Sequence, residues 1–390
     1  ELVKKYPSDD DIAAMYAEAW MNTMPWNYWS DGETPRPEIV PVIAALESTL
    51  ARSAKHPLAL HLYIHAMEAS STPQKAEAAA DTLYTLVPGS GHLVHMPAHI
   101  FWRVGRYNDA AKANIEAAKV DEDYIAACNA QGFYPAMYYP HNIHFLWAAS
   151  SMQGQSKVAI EAARKVAANV RLEQIDQCPT VEFFHTIPLR SLVQFGHWDE
   201  ILTEPQPRGD LAYSNAIWNY ARGIALANKG DIKGARAEQA ALMPLMANEK
   251  VMKLDGSDYP ASQLLSIANN LLRGEIAMAS GDTTSAVAEF TEAVSGQDAL
   301  PYTEPPFWYY PTRQSLGAAL LIAGKAKDAE AVYRKDLEAY PHNGWSTFGL
   351  IQALDAQKKT ADADMQREHF KAMWQFADIE LKGSRVSGSP

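Results

Sequence analysis

Small and apolar residues recur along the chain in a pattern that predicts pairs of packed helices. One copy of this pattern spans residues 316–341, with glycine or alanine at the positions that must be small and larger apolar residues between them. Its members are Leu316, Gly317, Leu320, Gly324, Ala329, Tyr333 and Pro341. Gly324 is expected to form the turn between two helices, and the small residues allow these helices to approach closely. Because two such helices cannot bury their apolar faces alone, neighbouring copies must stack.

The same spacing recurs upstream and fits the 34-residue tetratricopeptide pattern. Further copies contain Gly274, Gly281, Ala286 and Phe290; Gly223, Gly230 and Ala235; Gly154, Ala159 and Ala163; Ala98, Phe101, Gly105 and Ala110; and Ala76, Ala80, Leu83 and Pro88. Gly196 marks a weaker copy, and residues 12–20 resemble the first helix of a degenerate one. The sequence therefore predicts an all-α, tetratricopeptide-like solenoid of antiparallel helix pairs, forming a right-handed superhelix with a concave groove.

Histidines and insertions divide the predicted solenoid into parts. We expect residues 1–200 to form a histidine-rich half, 201–381 the C-terminal repeats, and 382–390 a flexible tail. Insertions rich in aromatic residues and proline lie near 131–140, 174–180 and 298–306, and residues 22–37 form a similar segment. In solenoids, such insertions become loops along one edge and often border the binding face.

Composition and charge exclude several classes of partner. The net charge of −12 disfavours nucleic acid, and no apolar run reaches the roughly 18 residues that a membrane span needs. The two cysteines, Cys128 and Cys178, exclude a disulfide framework but leave a single bridge open. We expect a soluble protein, with cytoplasm, periplasm and oligomeric state undecided. The chain starts at Glu1 without a signal-peptide pattern, as expected of a processed or truncated form.

Seven histidines occupy matching positions of three consecutive copies of the repeat. Position 2 carries His92 and His141, position 5 carries His61, His95 and His144, and position 9 carries His65 and His99. Spacings of three and four residues place such side chains on one helix face, apart from the small and apolar positions. Later copies carry no histidine at these positions, so any special chemistry ends after the third one.

Histidines four residues apart are a natural two-point site for a transition metal. The first choices for ligands are His61, His65, His95, His99 and His144, and the second choices are His92, His141, Glu68 and Glu18. Packed helices lie about 8–10 Å apart, so one ion cannot touch all seven histidines. Either two ions bind, or one ion binds a subset while the other histidines orient the ligands. Charged imidazoles would repel one another, so the group needs neutral rings or a metal.

Two prolines bear on the geometry of this group. Pro97 lies between His95 and His99 and predicts a helix start near Met96, with His92 and His95 on the turn before it. Pro140 predicts that the next helix starts at its histidines.

The structural alternatives remain open for each group. Glu68 and Glu18 are equally compatible with plain solvated carboxylates. Trp102 is expected to form a groove wall, and Arg190 either binds an anionic substrate or forms a surface salt bridge. The remaining histidines are expected to be packed or solvated: His56, His185, His197, His342 and His369.

Three stretches resemble a bacterial family of mostly uncharacterised tetratricopeptide-repeat proteins. They are HLYIHAMEAS (61–70), GHLVHMPAHIFWRVGRYNDA (91–110) and YYPHNIHFLWAAS (138–150). The loop with Pro25, Trp26 and Trp29 is similar to the family as well, and the likeness covers roughly residues 10–170. Family members carry a further helical region upstream, which implies that groove residues from such a region would be absent here. The resemblance implies a scaffold and supplies no reaction.

The sequence supports two functions of different class. The first is a metalloprotein that holds one or two ions, copper before iron or zinc, with metal-dependent oxidoreductase activity if an open coordination position exists. The second is a non-enzymatic scaffold whose groove binds a peptide or protein partner. A metal carrier or sensor without turnover is a third reading. A small molecule or peptide is the expected groove ligand.

Overall fold

The computed structural model describes residues 1–30, 32–132, 134–256 and 259–387, and these residues form 22 α-helices. Within those ranges, the only β-type pairing is an isolated bridge between Trp29 and Pro35. The chain divides into two compact units. The first comprises Glu1–Ala149 with Tyr302–Glu304, and the second comprises Ser150–Pro301 with Pro305–Pro390.

The first unit contains the histidine-bearing helices. Its helices are α1 (Leu2–Lys5), α2 (Asp10–Met21), α3 (Val40–Arg52), α4 (Pro57–Glu68), α5 (Glu77–Leu86), α6 (Gly91–His95), α7 (Pro97–Arg103), α8 (Tyr107–Cys128) and most of α9 (Tyr139–Met152). Consecutive helices pack in pairs, with α2 against α3, α4 against α5 and α7 against α8.

The second unit repeats the same paired arrangement. Its helices are α10 (Ser156–Asn169), α11 (Leu172–Gln177), α12 (Ile187–Gln194), α13 (Trp198–Thr203), α14 (Ala212–Asn228), α15 (Ile232–Met246), α16 (Glu249–Asp255), α17 (Ala261–Ala279), α18 (Thr283–Asp298), α19 (Arg313–Ile322), α20 (Ala326–Ala339), α21 (Gly344–Ala356) and α22 (Thr360–Met373). The pairs α14/α15, α17/α18, α19/α20 and α21/α22 pack side by side.

Turn glycines mark the boundary between the two helices of a repeat. Six of them have positive φ, a conformation that glycine adopts without the steric cost of a Cβ. They are Gly105, Gly154, Gly196, Gly230, Gly281 and Gly324. The residue after the glycine donates its backbone N–H to a carbonyl five positions back, as from Lys325 to Leu320 at 2.8 Å. The predicted role of Gly324 is therefore confirmed.

Small residues within the helices allow the close contact that the pattern predicts. A Cβ built on Gly317 would lie 2.4 Å from the ring of Tyr333, and one on Gly274 would lie 2.3 Å from the ring of Phe290. Each glycine and its ring belong to the two helices of one pair. The prediction of an all-α, tetratricopeptide-like fold of antiparallel helix pairs is confirmed, whereas the handedness of the superhelix stays a prediction.

Helix starts follow local capping rules where the histidines lie. The side chain of His56 accepts the N–H of Ala59 at 3.2 Å, and Pro57 occupies the first turn of α4. A new helix starts at Pro97, as predicted, and α9 starts at Tyr139, one residue before Pro140. His92 and His95 lie on the short helix α6, however, and not on an irregular turn.

Three further predictions are answered by the described residues. The tail differs from the prediction at 382–387, because Ser384 is buried and its hydroxyl lies 2.7 Å from the Tyr333 hydroxyl. Cys128 and Cys178 are exposed free thiols, so the single bridge left open is not formed. Among the described helices, none combines the length and apolar character that crossing a bilayer requires.

Candidate metal centre

Helix α4 supplies the first two histidines and a carboxylate. His61 and His65 are four residues apart, so their rings lie on one face with centroids 4.8 Å apart. Glu68, one turn further, is 1% exposed. The apolar residues between them, including Leu62 and Ile64, are buried in the first unit and hold the helix in place.

Helices α6 and α7 supply three more histidines across the break at Met96. The Nε2 atoms of His95 and His99 lie 2.9 Å apart, and both side chains are buried. His92 lies earlier on α6, with its Nε2 atom 3.2 Å from the Nε2 atom of His61. His141 on α9 completes the group, because its ring lies 4.8 Å from that of His95.

The six histidines form two sets of three. The ligand atoms within each set all lie within 4.8 Å of one another, and the sets are His61, His65 and His92, and His95, His99 and His141. We call them the outer triad, whose members are partly exposed, and the inner triad, in which His95 and His99 are buried. A third set, Glu68, His99 and Glu304, meets the same distance limit.

The nitrogen separations match those of ligands around one ion. Imidazole nitrogens bind transition metals at about 2.0–2.1 Å. At that bond length, the separations of 2.9 Å in the inner triad and 3.2 Å in the outer triad correspond to N–metal–N angles of roughly 90–105°. One nitrogen pair in each triad is therefore spaced like two ligands of a common ion, and the third ligand atom lies within 4.8 Å of both.

Hydrogen bonds at Nδ1 orient the rings so that Nε2 points into the centre. The Nδ2 atom of Asn114 donates to the carbonyl of Ala110 at 2.8 Å, which leaves the amide oxygen of Asn114 facing Nδ1 of His95 at 2.7 Å. The carboxylate of Glu68 accepts from Nδ1 of His65 at 2.9 Å and from Nδ1 of His99. Such partners fix the tautomer and raise the basicity of the metal-binding nitrogen.

Burial keeps four of the imidazoles neutral. Loss of solvation, with repulsion from neighbouring histidines, lowers the pKa of His61 to about 2 and of His92 to about 3. The pKa values of His95 and His141 lie well below the usual value of 6.5 for the same reason. These four rings therefore offer lone pairs at neutral pH. Neutral rings also avoid the repulsion expected among charged imidazoles.

His99 is the exception, because it lies between two carboxyl groups. Burial opposes its charge, but Glu68 and Glu304 outweigh burial and raise the pKa of His99 to about 10. The hydrogen bonds also indicate that His99 is protonated. His95 donates its Nδ1 proton to Asn114, so the Nε2 atom of neutral His95 can only accept. His99 must therefore donate from both nitrogens, from Nε2 to His95 and from Nδ1 to Glu68. A proton thus occupies the space between His95 and His99 where a metal ion would bind.

Glu304 is a residue of the third set that the sequence did not reveal. Its carboxyl oxygen lies 3.0 Å from Nδ1 of His99, and burial raises the pKa of Glu304 to about 7. The Tyr302 hydroxyl donates to Glu304, and the Arg103 guanidinium lies 5.4 Å from the centroid of the Tyr302 ring. The sequence predicts a loop for the insertion at 298–306. Because this insertion lies outside the repeat pattern, its position in the sequence does not indicate that Glu304 approaches His99.

The structure does not place two predicted ligands within these groups. Glu18 is exposed on α2, and His144 stacks on Trp147 with ring centroids 5.3 Å apart. His144 lies three positions after His141, a rotation of about 300° that leaves the two side chains about 60° apart on the same helix face, and only His141 meets the distance limit of a set. On α9 it is therefore position 2, and not position 5, that reaches the inner triad.

The two predicted groove residues are both buried. Trp102 packs its ring against Tyr107 at 5.2 Å and Phe145 at 6.1 Å. Arg190 belongs to the second unit, donates to the carbonyl of Phe307 at 3.1 Å and to the Tyr213 hydroxyl, and has no carboxylate partner among the described residues. The expectation of a surface salt bridge at Arg190 is therefore wrong.

Comparison with known proteins found similar solved structures. No protein-family model and no curated protein matches the chain. The TPR domain of P58(IPK) is similar with a TM-score of 0.26 and 9% identity, covering 94% of this chain and 93% of that one. Yeast Tom70 is similar with a TM-score of 0.28 and 12% identity, covering 95% of this chain and 92% of that one. The APC/C hetero-tetramer Cut9-Hcn1 is similar with a TM-score of 0.26 and 10% identity, covering 95% of each chain. These values are too low to support an argument about function.

Proposed function

We propose that this protein binds one or two transition-metal ions through the histidines of α4, α6, α7 and α9. The observation that carries the proposal is the convergence of six imidazoles into two triads with metal-compatible separations. A protein core has no structural need for six imidazoles in mutual contact, since each buried polar group requires its own hydrogen-bond partner.

The ligand set favours copper, with iron or zinc as the next candidates. Three imidazoles per ion suit copper and zinc, and copper lies highest in the affinity order of the divalent metals. A carboxylate such as Glu304, which lies 3.0 Å from the His99 ring, would suit iron or zinc if it entered the coordination sphere.

Three protein ligands would leave a coordination position for a small molecule, as a metal-dependent oxidoreductase requires. Catalytic metal sites keep such a position open, whereas structural sites close it with a fourth protein ligand. The ring of Tyr138 lies 5.0 Å from that of His92, and the ring of Trp26 lies 6.4 Å from that of His65. These aromatic residues border the outer triad and would limit the size of a molecule that reaches it.

Elemental analysis of protein purified without a histidine tag tests the proposal directly. One or two equivalents of copper, iron or zinc per chain support it. Metal-free protein that also fails to take up added Cu(II) or Zn(II) would overturn it and favour a scaffold that binds a peptide or protein partner. Bound metal without oxygen consumption in the presence of a reductant would indicate a carrier or sensor.

Metal affinity of the inner triad is expected to increase about tenfold per pH unit between pH 6.5 and 8.5. The pKa of His99 is raised to about 10, so His99 is protonated throughout this range and must lose one proton to bind the ion. Raising the pH removes this competing proton and therefore strengthens binding. Competition with a chromophoric chelator at three pH values measures the slope, and a flat profile would contradict the assigned protonation of His99.

A further inference from the structure

We infer that both triads hold an ion at the same time and that Glu68 couples the two positions by orienting one histidine of each. This inference rests on the proposed function, because it concerns the number of ions and their coupling within the same centre. It assigns Glu68 the role of a positioning residue, which acts on the ions through His65 and His99.

The outer triad has its own geometry for an ion. The Nε2 atoms of His61 and His92 lie 3.2 Å apart, and the ring of His61 lies 4.8 Å from that of His65 and 5.0 Å from that of His92. None of these three histidines is shared with the inner triad. An ion in the inner triad therefore leaves all three nitrogen ligands of the outer triad available.

The two positions are close neighbours. The ring of His65 in the outer triad lies 5.5 Å from that of His99 in the inner triad, and the ring of His92 lies 6.1 Å from that of His95. Two cations at such a separation repel each other, and a nearby negative charge weakens that repulsion. Glu68 supplies that charge, and it is 1% exposed, so water screens it little.

Glu68 contacts both triads through separate oxygens. Its Oε1 atom accepts from Nδ1 of His65, and its Oε2 atom accepts from Nδ1 of His99. The carboxylate therefore holds the Nε2 atoms of both rings toward their respective ions. A glutamine at this position has a single acceptor oxygen, so it can serve only one of the two rings.

Glu304 provides a matched comparison. It is also a buried carboxyl group, and it approaches the same Nδ1 atom of His99 at 3.0 Å, but among the described residues it contacts no histidine of the outer triad. Glu68→Gln and Glu304→Gln thus remove the same chemical group from the neighbourhood of His99. Only Glu68→Gln also removes the orientation of His65.

The test loads metal-free protein with Cu(II) and counts tightly bound ions by elemental analysis after desalting. Wild-type protein and Glu304→Gln are expected to retain two ions, and Glu68→Gln is expected to retain one, with at least about tenfold weaker binding of the second. Electron paramagnetic resonance gives an independent readout: two neighbouring Cu(II) ions interact magnetically, so the spectrum of Glu68→Gln should change to that of an isolated Cu(II) ion.

Each outcome separates the inference from the proposed function. Wild-type protein with a single ion would overturn the inference and leave metal binding intact, and wild-type protein with none would overturn both. Two ions in Glu68→Gln with unchanged affinity would overturn the coupling role of Glu68. If Glu68→Gln fails to fold, His61→Ala replaces it, because loss of an outer ligand should leave one ion in the inner triad, and two retained ions would contradict the inference.

Discussion

Replacing His61 and His95 together by alanine is expected to reduce the bound transition metal to below about a tenth of the wild-type content. Each substitution removes one of three nitrogen ligands from a triad. Changing the hydrogen-bond partners of metal ligands already weakens binding by about 10–100-fold, and loss of a ligand costs no less. Elemental analysis of the double variant beside the wild type, both purified without a tag, measures the change.

His144→Gln is the matched control for that experiment. His144 lies on α9 with His141, but it stacks on Trp147 and belongs to neither triad. Its replacement is expected to leave the metal content within about a fifth of the wild-type value, since no ligand is lost. A double variant that keeps its metal while His144→Gln loses it would show that the ligands are chosen wrongly. Circular dichroism confirms that each variant is folded.

Trp345→Ala is expected to lower the free energy of unfolding of the second unit by about 3–5 kcal/mol. Trp345 is 1% exposed, contacts Trp374 with ring centroids 5.4 Å apart, and donates its indole N–H to the carbonyl of Ser151 at 3.0 Å. Truncation leaves a cavity in a core that cannot collapse fully. Urea unfolding followed by near-ultraviolet circular dichroism measures the change.

Phe376→Ala controls for the loss of an aromatic side chain in the same unit. Phe376 is 44% exposed, so its truncation is expected to change the free energy of unfolding by less than about 0.5 kcal/mol. Comparable destabilisation by the two variants would contradict the position of Trp345 in the core. Metal content is expected to stay unchanged in both, because the triads belong to the first unit.

The helical-repeat fold was predictable because its rules are local. Glycine at the turn and small residues at the helix contact serve the same purpose in every copy, so one well-formed copy at 316–341 identified the others. The break at Met96 also followed from a local rule, since proline cannot occupy the interior of a helix without cost. The packing of 382–387 was not predictable, because Ser384 bonds to Tyr333, which is distant in sequence.

The choice of histidines was predictable only in part. The i, i+4 spacing places His61 beside His65 and His95 beside His99 without knowledge of the fold. The repeat register then suggested His144, but the geometry of α9 brings His141 to the inner triad. A prediction from the repeat register assumes that the equivalent helix of every repeat turns the same face toward its neighbour. The π-helical turn at Tyr134–Tyr138 precedes α9, and the two earlier copies show no such turn.

The sequence by itself determined the helix pairs, the helices that carry imidazoles and the pairs of rings within a helix, because these depend on spacings of a few residues. Only the tertiary structure decided that the imidazoles divide into two triads, that Glu68 joins them and that Glu304 approaches His99. Those relations join residues that lie far apart along the chain, from 68 to 99 and from 99 to 304. Distances of that kind depend on how whole helices and a distant loop pack, which no local spacing encodes.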